Sequence, residues 1–206
     1  MDLVRWMVQV AHQRPVRLEH RLVSLSVTNE NRELDDWYRE FNDRAWGPAR
    51  VFAAVCAKHG AEAAAAFYEA FGRRFHVCGD EDLATVIPAA LGACKLPTAY
   101  ADFAADGAWD EALRASTAEA LGPVGVDAGT PLLHLDGTAV FGPVLSSCPI
   151  GDDAVALFDA MRTMLAQPAF SDIRRRREDA LDRTDPNLDP YDATTADASR
   201  RKATRD

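Results

Sequence analysis

The sequence predicts an α/β chain. Three observations predict it: apolar residues at helical spacing open the chain, two short period-two runs flank Asp136-Gly137, and almost everything from residue 33 to residue 121 carries helical periodicity. A length of 206 residues with 48 % hydrophobic content suffices for one sizeable core, as one domain or a domain carrying an insertion.

Leu3, Val4, Met7, Val8 and Ala11 recur at helical spacing, so residues 2–12 read as an amphipathic helix that begins without a cap. From Val16 to Leu25 the pattern alternates. Val16, Leu18 and Leu22 face one way and Arg17, Glu19 and Arg21 the other, as in a half-exposed strand at a sheet edge. Gly47-Pro48 suits a helix start, and Val51, Phe52, Val55 and Cys56 supply a stripe ending near Gly60. Ala64, Phe67, Tyr68 and Phe71 make a second stripe. Asp80 can cap a helix bearing Leu83, Val86, Ile87, Ala90 and Leu91, which Pro88 should kink or split. Trp109, Leu113, Ser116 and Ala120 mark the next helix.

Then the period becomes two. Leu132–Leu135 and Thr138–Phe141 are joined by Asp136-Gly137, the dipeptide that suits a type I′ turn with positive φ at both positions. Gly151 and Asp152 open a last helix with Val155, Phe158, Met161 and Leu165. Residues 171–206 read as a solvated or disordered tail, with nine basic and nine acidic residues and few large apolar ones. Within it, Arg174 to Arg177 are followed at once by Glu178, Asp179 and Asp182, which cancel their field.

A net charge of −9 argues against nucleic acid and anionic membrane surfaces as partners. No apolar run approaches the ~18 to 20 residues of a membrane span, and the first dozen residues carry Asp2 and Arg5 within the apolar stretch, unlike a secretory signal. A soluble, cytoplasmic protein is the expectation. Cys56, Cys78, Cys94 and Cys148 lie 22, 16 and 54 residues apart, which matches neither a zinc knuckle nor a redox pair. They read as buried or partly buried thiols. His76 and Cys78 do not make a four-ligand metal site, and Trp46 reads as core. Asn29, Glu30, Asn31 and Arg32 can cap the helix that follows.

Four motifs stand in order: LSVTNENREL (25–34), RAWGPARV (44–51), DAGTPLLHLDG (127–137) and FGPVLSS (141–147). Together they resemble the DsbA-like thiol oxidoreductases, and among those the actinobacterial subgroup that includes mycothiol-dependent nitroreductases. The likeness covers about residues 2–170. It implies a thioredoxin-like fold with a helical insertion (DsbA-like), lacking the first strand in this chain. Residues 1–31 and 106–170 would form the thioredoxin-like core, and residues 32–105 the insertion.

By that resemblance Pro131 would be a cis-proline and Thr130 would offer backbone groups to substrate. Asn29 and Tyr38 would line the pocket, and His76 is either a helix-end histidine or a substrate contact. The implied activity is thiol-disulfide oxidoreduction, with a low-molecular-weight thiol such as mycothiol as co-substrate, no bound cofactor, and small electrophiles or thiols as substrates. The catalytic Cys-Pro-Xaa-Cys would lie upstream of Met1, the expectation being a start assigned too far downstream. A serine there would imply a thiol-dependent isomerase or transferase of the hydroxychromene-carboxylate isomerase type. The loss of both would leave a non-catalytic binding module.

Overall fold

A computed structural model describes residues 2–125 and 128–173. The solvated tail, including Arg174 to Arg177, lies outside these residues, as does Asp127 at the head of its motif. Helices dominate, with one two-stranded antiparallel sheet among the described residues. None of the described helices is long and apolar enough to cross a membrane. The chain divides into two compact units, residues 1–18 with 131–206, and residues 19–130.

The first unit is built from α1 (Asp2–Ala11), β1 (Leu132–Leu135), β2 (Thr138–Phe141) and α6 (Gly151–Leu165). α1 buries Trp6, Met7 and Val10 with Leu133 of the hairpin and Ala154, Phe158 and Leu165 of α6, so of the expected stripe Met7 and Val8 are buried while Leu3, Val4 and Ala11 are only half-buried. Trp6 meets Phe158 edge-on at 6.4 Å, and its Nε1 donates to the Ala154 carbonyl at 2.8 Å, so the one polar atom of this buried indole is paired. In the hairpin Leu132 pairs with Phe141 and Leu135 with Thr138. Asp136 and Gly137 both take positive φ, 51° and 84°, which is the mirror-image turn whose twist matches the strands.

The second unit is organised by α3 (Asp36–Gly72), preceded by the short α2 (Leu25–Thr28) and followed by a π-turn at Arg73–Val77. Then come α4 (Leu83–Ala93), 3-10 turns at Thr98–Ala105 and Gly107–Trp109, and α5 (Asp110–Leu121). Val51, Phe52, Val55, Ala64 and Phe67 of α3 pack with Ile87, Ala90 and Leu91 of α4.

Several expectations need correction. Gly47-Pro48 does not start a helix: α3 begins at Asp36, where the Asp35 carbonyl accepts from Tyr38 and Arg39 N–H at 2.9 Å, and Pro48 lies inside it. A helix already nucleated propagates at low cost, and the burial of Val51, Phe52 and Val55 just after Pro48 offsets the hydrogen bond it removes. Gly60 does break the helix, at φ 86° and ψ 174°, a region essentially reserved for glycine. The cap of α4 is Asp82, whose side chain accepts from Ala84 N–H at 3.1 Å, rather than Asp80. Pro88 leaves α4 unsplit, because Val86, Ile87, Ala90 and Leu91 around it are all buried. Cys78 is exposed, unlike the other three cysteines, since it follows the π-turn where the chain leaves the core.

Residues 16–25 form no strand, although exposure alternates residue by residue from Val16 to Leu22 as the pattern requires. Alternation selects a face; a strand also needs a ladder partner, and the described sheet holds only β1 and β2. In this row His20 keeps Nε2 buried without a hydrogen-bond partner, and burial pushes its pKa below the ordinary 6.5. An unfolded chain then binds the proton more readily than the folded one, so stability is full above pH 6.5 and falls as pH drops below it. Thermal melts at about pH 7.5 and 5.5 should show that loss shrinking in His20→Leu relative to the parent protein.

Candidate functional site

The residues around the start of α3 form a buried polar cluster. Ser24 caps α2 by accepting from Val27 N–H at 3.4 Å, and its own N–H donates to Thr117 Oγ1 of α5 at 3.1 Å. That anchoring delivers Asn29 to the end of α2, 6 % exposed. Tyr38 and Asn42 are four residues apart on α3 and so share a face.

Asn29 Nδ2 donates to Tyr38 Oη at 3.3 Å and to Asn42 Oδ1 at 3.1 Å. Asn42 Nδ2 donates to the Tyr38 carbonyl at 2.6 Å, and Ser26 Oγ donates to the Asn42 carbonyl at 2.7 Å. The phenol oxygen is thereby an acceptor from within and keeps its own O–H to donate outward. Beside it stand Trp37, 70 % exposed with its ring 5.2 Å from that of Tyr38, and Phe41, stacked on Tyr38 at 6.1 Å. The arrangement is a fixed hydrogen-bonding phenol on an accessible aromatic surface, suited to holding a small polar molecule.

Two guanidinium–carboxylate pairs brace the same elements. Arg50 grips Asp110 through two nitrogens at 2.6 and 2.9 Å, and Arg114 grips Glu30 at 2.6 and 3.1 Å. Both arginines also lie over the half-buried Trp46 ring, at 5.3 and 5.7 Å. The hydrogen bonds from Arg50 and Arg114 hold the carboxyls of Asp110 and Glu30 below their usual range.

Of the expected site residues, Asn29 and Tyr38 are in direct contact. His76 is on the π-turn at the other end of α3, edge-on to Phe75 at 5.1 Å. Thr130 and Pro131 are both partly buried, Thr130 closing the helical unit in sequence and Pro131 opening the hairpin unit. The Pro131 carbonyl accepts from Gly142 N–H at 2.8 Å, extending the hairpin by one rung.

The cis-proline expectation at Pro131 is corrected. Among the described residues the cis bond is Gly142–Pro143, and Thr130–Pro131 is trans. Trans is the intrinsic preference of an Xaa-Pro bond by about 0.5 to 1 kcal/mol, and here the chain runs directly into β1 with that carbonyl engaged.

Asn42, Ser26, Trp37 and Phe41, the further members of this candidate cluster, were not legible in the sequence. An Asn flanked by charges within a helix reads as solvent face, and only its spacing of four from Tyr38 was a signal. Among the cysteines, burial and the Glu69 carboxylate push the Cys94 thiol up, away from the thiolate that sulfur chemistry needs.

Comparison with protein families gives a match over residues 3–175 to the family described as Rv2466c-like, mycothiol-dependent nitroreductase Rv2466c. The matched span takes in both compact units, the Asn29–Tyr38–Asn42 cluster and the hairpin. A match of this extent shows the kinship that the ordered motifs imply: this chain belongs to the Rv2466c-like family of mycothiol-dependent nitroreductases.

Proposed function

We propose that the protein is a mycothiol-linked oxidoreductase of the DsbA-like kind that reduces small electrophiles, nitro compounds among them. The match over residues 3–175 carries this reading. In each two-electron step two thiols become one disulfide, and two electrons and two protons pass to the nitro group. One nitro oxygen leaves as water and a nitroso compound remains. The thioredoxin-like arrangement, with residues 32–105 as a helical insertion, is part of the same proposal.

Tyr38 donates its O–H to the thiol co-substrate while Asn29 holds the phenol in place, which is supported by the 3.3 Å bond between them. His76 is a second contact on the helical unit. The Thr130-Pro131 step is proposed separately, as a place where a substrate backbone can lie.

The test is mycothiol oxidation driven by a nitroarene, followed as thiol consumed against nitro absorbance lost. Two thiols per nitroso product are expected. Tyr38→Phe should raise KM for mycothiol about fivefold, the loss of one hydrogen bond, with kcat little changed. Folded protein that oxidises no mycothiol in the presence of nitroarene would overturn the reading.

A further inference from the structure

Lys58 lies on α3 two positions before the Gly60 break, and its ammonium makes no ion pair among the described residues. It sits instead over three aromatic rings: its Nζ is 5.9 Å from the Tyr100 centroid, 5.4 Å from Phe103 and 5.8 Å from Trp109. Three rings within about 6 Å of one cation are a convergent box, since each ring face contributes its negative quadrupole to the same point.

The box is built rather than incidental. Tyr100 packs on Phe103 at 5.1 Å, and Phe103 meets Trp109 at 5.4 Å and 62°. Tyr100 is further fixed by its hydroxyl, 3.1 Å from His59 Nε2. Trp109 Nε1 is buried without a hydrogen-bond partner, so packing and the cation, not a polar anchor, account for the position of the indole. Asp102 and Asp106 flank Phe103 in sequence and are exposed, which adds negative charge on this stretch of chain.

We propose that the Tyr100–Phe103–Trp109 box is a binding site for small quaternary ammonium compounds, with Lys58 as its displaceable resident. Lys58 is exposed and reaches the box on a flexible four-carbon stem. Its ammonium is strongly hydrated and stable in water once released. A trimethylammonium group is weakly hydrated, loses less on leaving water, and presents methyl groups to all three rings. Because Lys58 is tethered, it competes as an internal ligand, so the apparent affinity of an outside cation is reduced by the fraction of time the box is filled. The site uses none of the residues assigned to mycothiol and stands independently of that assignment.

The experiment titrates the full chain with choline and, separately, with its neutral isostere 3,3-dimethylbutan-1-ol, reading the indole N–H resonance of Trp109. Saturable choline shifts are expected at millimolar concentration, with the apparent Kd falling about threefold in Lys58→Ala if the lysine fills the box two-thirds of the time. Phe103→Leu, which keeps an apolar side chain but removes one ring face, should weaken choline binding. Equal shifts from the neutral isostere would show an ordinary apolar surface and overturn the proposal. So would the absence of saturable choline binding in folded Lys58→Ala.

Discussion

Trp6→Ala should cost about 3 to 5 kcal/mol, the largest loss from any single substitution considered, and should lower the melting temperature of the hairpin unit sharply. Trp6 is fully buried, fills the space between α1 and α6, and pairs its Nε1 with the Ala154 carbonyl. Truncation therefore leaves a cavity and removes the second hydrogen bond to a carbonyl that stays in the α6 ladder, so the cavity supplies most of the loss. A domain of ordinary stability has only about 5 to 15 kcal/mol in total. Denaturant unfolding followed by circular dichroism checks this, and a midpoint unchanged from the parent would show that the α1–α6 packing is not what holds the unit together.

Asn42→Leu comes second, at about 2 to 3 kcal/mol. The substitution keeps the size of the side chain but removes the acceptor for Asn29 Nδ2 and the donor to the Tyr38 carbonyl, both within a buried cluster. Asn29 then has only the Tyr38 hydroxyl from this pair of partners, so the phenol loses its fixed position. On the proposed role of Tyr38 both stability and mycothiol KM should move, whereas Tyr38→Phe, which leaves Asn29 Nδ2 its bond to Asn42, should cost less stability while raising KM. A melt as stable as the parent with unchanged KM would remove the cluster from any role in binding.

The parts of the fold visible in the sequence are those set by local rules. Asp136-Gly137 dictated its own turn because few dipeptides tolerate two positive φ values in succession, and the structure has both. The stripe of α6 was legible because burying Val155, Phe158 and Leu165 on one side leaves a 3.6-residue period in the sequence, whereas in α1 the buried face runs through Trp6 and Val10 beside the expected Met7 and Val8. Gly60 was legible as an ending for the same local reason, its φ of 86°.

What escaped depends on neighbours distant in sequence. The Val16–Leu22 row has the exposure pattern of a strand and no ladder among the described residues, because alternation says nothing about who pairs. Pro48 looked like a beginning since its ring prefers the first helical turn, while the turns before it, Tyr38 to Asn42, are held by Asn29 from another element. The candidate site was legible by half for a related reason. Motif resemblance brought out Asn29 and Tyr38, but Asn42 earns its place only through the side chain that meets it.

The distribution of the four tryptophans gives the protein an internal set of optical reporters. Trp6 is the one indole of the hairpin unit and is shielded from solvent, so its emission lies at short wavelength and changes when that unit opens. Trp37, 70 % exposed, emits to the red and is the most open to a neutral quencher such as acrylamide. Quenching resolved by wavelength therefore separates the open Trp37 from the more shielded indoles in the unlabelled protein, and a ligand that covers the Tyr38 surface dims access to the red component first.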